Sequence, residues 1–127
     1  MTRGARVFLG FSTLVWLPYG LYCLARPEYL HDAAGVAIAS TTGRIEIRAM
    51  YGGLQAAIGL LALGGMLREV LTQPALTTLA FLCAGLASTR TLGALADGEV
   101  SSYTAMALAI EWGSTITAVW LLRSRGS

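Results

Sequence analysis

Four apolar runs of about 19 to 23 residues, near 7–25, 45–67, 74–96 and 102–122, each match the roughly 20 residues a helix needs to cross a bilayer's hydrocarbon core. Inside lipid the backbone must satisfy its own N–H and C=O groups, so only helices and closed barrels span it. These runs lack the two-residue alternation of barrel strands. The expected fold is all-α: a polytopic four-transmembrane-helix bundle, forming a single membrane domain over residues 1–127. At 55% hydrophobic and 13% charged, the chain is too apolar for an ordinary soluble domain, which agrees with that assignment.

The connections set the expected topology. Arg3 and Arg6 ahead of the first run resemble the start of a secretory signal, but the run extends to about Ala25 and meets Arg26-Pro27 where cleavage requires small residues. It is therefore expected to stay as the first span. Five arginines (Arg3, Arg6, Arg68, Arg123, Arg125) share the side of both termini, against Arg26 and Arg44 opposite, and the positive-inside rule makes that first side cytoplasmic. In the outer connection, Pro27, Glu28 and Asp32 suit the first turn of a short interfacial helix. Pro74 is expected as the first residue of the third span, and Asp97-Gly98-Glu99 as the turn that closes it.

Several chemistries are disfavoured. Arginines scattered at segment ends do not make a nucleic-acid surface. Cys23 and Cys83 lie in apolar runs without redox or metal-ligand spacing, and His31 has no second ligand at a suitable distance in sequence. Neither a metal nor a cofactor is expected.

The candidate site is a set of ionisable and polar residues within the spans: Glu46, Arg48, Tyr51, Gln55, Arg90, Asp97 and Glu111. A charge near the bilayer centre costs about 2.5 to 3.5 kcal/mol on insertion scales, so such residues persist where they are paired or line a polar cavity. In a regular helix Arg48, Tyr51, Gly52 and Gln55 share one face, with Glu46 on an adjacent face. Arg90, Gly93, Ala94 and Asp97 form a comparable face on the third span. Glu111 lies nine residues past Ser102, about 14 Å deep and close to the midplane, which makes it the most deeply placed carboxylate. The expected pocket occupies the outer half of the membrane between the second, third and fourth spans. Trp16, Pro18 and Tyr19 supply an aromatic flank and a kink on the first. Tyr103 and Trp120 are assigned to interfacial aromatic belts.

The run from Glu46 to Gly53, then Arg90-Thr91-Leu92-Gly93 with Asp97-Gly98, then Glu111, resembles a family of small bacterial four-helix integral membrane proteins of unknown function. The resemblance covers nearly the whole chain. It implies a multi-pass protein of the bacterial inner membrane and supplies no activity.

Three functions are compatible with these residues. The first is binding of a membrane lipid or small amphipathic ligand, with Arg48 and Arg90 at its head and Glu111 as the floor. The second is catalysis on a lipophilic substrate, with Glu111 as general acid or base in an isomerase- or cyclase-like reaction. The third is a partner subunit of a membrane complex or homo-oligomer, contacting through the glycine-rich faces of the second span. The sequence favours binding over catalysis, because no motif names a reaction.

Overall fold

The computed structural model describes residues 1–126 and contains five helices, with no strand among the described residues. Four are long and apolar enough to cross a membrane: α1 (Arg3–Ala25), α3 (Thr41–Leu67), α4 (Glu69–Asp97) and α5 (Ser102–Arg125). The fifth, α2 (Tyr29–Ala34), is the short helix expected between the first two spans. Side-chain oxygens cap three of the long helices: Thr2, Ser40 and Ser101 accept from the backbone N–H of Ala5, Gly43 and Thr104.

The outward faces carry large apolar side chains, among them Leu14 (74% exposed), Phe81 (78%) and Leu95 (76%). Contiguous apolar surface of this kind does not persist on a monomer in water, and on four span-length helices it is a lipid-facing surface. The protein is a four-helix membrane bundle. α1 packs along the second half of α3, α3 against α4, and α4 against α5, whereas α1 and α5 meet only sparsely. Met1 and Arg125 both lie beside Glu69 at one end of the bundle, and α2 lies at the other.

Two buried clusters hold the bundle. Leu9, Leu76, Leu79, Cys83 and Ala118 belong to the main core, formed by the long helices. Cys23, Leu30 and Ile47 form the second, which anchors α2 on the ends of α1 and α3. α1 and α3 approach closely enough that a Cβ placed on Gly59 would lie 2.5 Å from the Leu17 backbone nitrogen, so glycine is required there.

Two helices differ from the expectation. α4 starts at Glu69, five residues before Pro74, because the chain turns at the single extended residue Arg68 and Thr72 Oγ1 donates to the Gly65 carbonyl at 2.8 Å. Pro74 is thus the sixth helical residue, where it removes the bond to the Val70 carbonyl but leaves the helix continuous. Within α3, residues Arg48–Gly53 form a π-helical segment, closed by the Leu54 N–H donating to the Ala49 carbonyl five residues back. The far end of α4 closes as expected, with Gly98 in the left-handed region (φ 69°) and its N–H donating to the Ala94 carbonyl.

Candidate functional site

A cavity of about 200 Å³ opens among the helices on the α2 side of the main core. Every helix contributes: Trp16 and Tyr19 from α1, Tyr29 from α2, Gln55 from α3, Arg90 from α4, and Tyr103 and Glu111 from α5. Val15 of α1 and the exposed Met106 with Ile110 of α5 line it along the sparse α1–α5 seam.

Glu111 and Arg90 form its polar floor. The Glu111 side chain is 6% exposed, and the Arg90 Nε–H donates to both carboxylate oxygens, at 2.9 and 3.1 Å. This is a single donor shared over two acceptors rather than the two-point fork an arginine can make. The four Nη hydrogens make no hydrogen bond to a described residue, and the guanidinium carbon stands 6.0 Å from the Tyr103 ring centroid. Arg90 therefore has directional donors left over beside a cavity, while its charge is balanced by Glu111.

The wall beside the pair is built from tyrosines. The Tyr19 and Tyr103 hydroxyls are 2.6 Å apart, joining α1 to α5 across the seam. Tyr29 packs edge-on against Tyr19 and Tyr22, which closes the α2 end. Trp16, only 6% exposed, lines the same cavity, and its Nε1–H is buried without a hydrogen-bond partner among the described residues. An orphaned buried donor costs about 1–3 kcal/mol, which gives a bound acceptor something to satisfy.

The seven residues expected in the site separate into two groups. Gln55, Arg90 and Glu111 line the cavity, and Tyr51 lies within electrostatic reach of Arg90 and Tyr103 while packing beside Leu30 and Ile47. Glu46, Arg48 and Asp97 lie outside it. Arg48 donates through Nε to the Leu24 carbonyl at 3.2 Å, tying α3 to the end of α1. Glu46 is exposed near the start of α3, and Asp97 is exposed as the last residue of α4. The π segment explains Arg48: one extra residue in a turn offsets the faces before and after it by about 100°, so Arg48 no longer shares a face with Gln55.

α1 lines the cavity more extensively than expected, and Tyr103 belongs to the site rather than to an aromatic belt alone. A signal for Tyr103 existed: Tyr103, Ala107, Ile110 and Glu111 recur at i, i+4, i+7 and i+8, so all four share the face of Glu111. Trp112 faces away from the cavity, with its Nε1–H donating to Thr91 Oγ1 at 3.1 Å.

Comparison with curated proteins and with solved structures finds no match. The profile of one family, described as a domain of unknown function (DUF4345), matches residues 4–122. Across almost its whole length, this four-helix membrane chain is a member of that family.

Proposed function

We propose that the protein binds a small amphipathic or lipid-like molecule, with its polar head in the cavity floored by Arg90 and Glu111. The observation that carries this reading is the Arg90 geometry: a guanidinium that hydrogen-bonds through Nε, its Nη donors without a partner among the described residues and beside a cavity. Because the ion pair cancels in formal charge, a fully charged head would be desolvated without a compensating countercharge. Uncharged acceptors such as ester carbonyl or hydroxyl oxygens suit the Arg90 Nη, Gln55 and Trp16 donors better. The cavity, at about 200 Å³, is below the roughly 300–1,000 Å³ of sites that enclose a drug-sized ligand, so it suits a head group and leaves the remainder of the molecule outside.

The test is native mass spectrometry of protein released from lipid nanodiscs, comparing wild type with Glu111→Gln. A discrete non-protein mass retained by wild type and lost from the variant supports the reading. Two bare proteins of equal fold and stability would overturn it.

A further inference from the structure

The cavity is not the only opening along the α1–α5 seam. Toward the termini, a second, open groove of about 620 Å³ lies between the same two helices, lined mainly by Val7, Phe8 and Phe11 of α1 and by Thr117, Trp120 and Leu121 of α5, with Arg3 at its end. Both openings lie on continuous helical stripes. On α1, Gly4, Phe8 and Phe11 of the groove continue at four- and three-residue steps into Val15 and Tyr19 of the cavity. On α5, Met106 and Ile110 of the cavity continue through position 113 to Thr117 and Trp120 of the groove.

Position 113 is glycine, and a Cβ placed there would meet nothing within 4 Å. Packing against another helix does not explain this glycine, unlike Gly59, and in a helix interior it costs about 1 kcal/mol relative to alanine. It leaves a notch on the stripe between the two openings. From Tyr19 to Gly4 the seam runs fifteen residues of α1, about 22 Å, most of the depth of a hydrocarbon core about 30 Å thick.

We infer that a ligand with its head at Arg90 and Glu111 lays its hydrocarbon chain along this seam, over Gly113 and into the Phe8–Thr117 groove. This rests on the head-group reading above and narrows it to a class: amphiphiles with an uncharged, oxygen-bearing head and one long linear chain, such as monoacylglycerols. The occupant follows from the alignment of the two openings along one seam. The polar end is closed by tyrosines, the remaining path is mostly apolar, with Thr117 along it and Arg3 at its far end, and it faces the lipid from which such a molecule would enter.

The test uses two photoreactive monopalmitoylglycerols in nanodiscs, one with a diazirine near the ester and one with it at the chain end, each competed by unlabelled monopalmitoylglycerol. The near-ester probe should label Ala107 and Ile110, and the chain-end probe Phe8 and Thr117, both competitively. Gly113→Phe, whose added bulk meets no protein atom at the Cβ, should abolish competitive chain-end labelling and spare near-ester labelling. Gly113→Ala should retain both. Competitive near-ester labelling with chain-end labelling spread over lipid-facing residues such as Phe81 and Leu95 would overturn the seam inference alone, leaving the head site standing. Non-competitive labelling by both probes would overturn both readings, and unaltered labelling in Gly113→Phe would refute the path over the notch.

Discussion

Removing one member of the Arg90–Glu111 pair should cost more for the arginine than for the glutamate. Breaking a buried ion pair typically destabilises by about 3–5 kcal/mol, because the surviving charge is left desolvated. Arg90→Ala strands a carboxylate whose side chain is 6% exposed and whose two oxygens both accept from the lost Nε–H, so it should fall within that range. Glu111→Ala strands a guanidinium whose side chain is 26% exposed and which borders the cavity, so partial solvation should reduce the loss to about 2–3 kcal/mol. Replacing both residues by apolar ones, as in Arg90→Met with Glu111→Leu, should recover most of the loss, since the desolvation penalty disappears together with the attraction. The assay is reversible unfolding of purified protein in mixed micelles, followed by circular dichroism, for the two single variants and the double variant. Equal losses in the singles, or a double variant whose loss is the sum of theirs, would refute the claim that these two groups are coupled in a desolvated site.

Three further outcomes follow from particular contacts. Gly59→Ala should destabilise the bundle by about 1–3 kcal/mol in the same unfolding assay, because the new methyl meets the α1 backbone at Leu17 rather than a side chain that can move aside. Gly98→Ala should cost about 1–2 kcal/mol through the backbone alone, since φ is 69° and nothing lies within 4 Å of the added Cβ; an unchanged midpoint would refute that strain. On the α2 side, the Arg44 guanidinium hydrogen-bonds Glu28 and holds its carboxyl below the usual glutamate range. A lowered folded pKa contributes stability that is fully present above the unfolded-state value and lost as pH falls through the folded one. Wild type should therefore lose a small increment over Glu28→Gln in acid, measured as the difference between their unfolding midpoints against pH, and a difference that grows toward acid would contradict the sign.

The membrane architecture was legible in the sequence because it depends on length and composition alone. A run of about 20 apolar residues has no other stable arrangement in lipid, whatever its neighbours do. Local chemistry was equally legible where the determinant is local: Gly98 closes α4 after Asp97, and the connection around Pro27 contains a short helix. Glu111 and Arg90 were legible as charges that require partners, and Gln55 as a polar residue on an otherwise apolar helix.

What the tertiary structure decided is which of these side chains face one another. Regular helical spacing places Arg48 with Gln55, but the π turn between them rotates one away from the other, and at that turn α1 approaches α3 so closely that a Cβ on Gly52 would meet Leu24. Tyr103 reads as an interfacial aromatic until α1 brings Tyr19 within 2.6 Å of its hydroxyl. Sequence alone determined that charge inside these spans must be satisfied, because the energetic penalty belongs to each residue by itself. The three-dimensional packing chose the partners, because a hydrogen bond depends on the relative rotation and separation of two helices, which neither helix encodes alone.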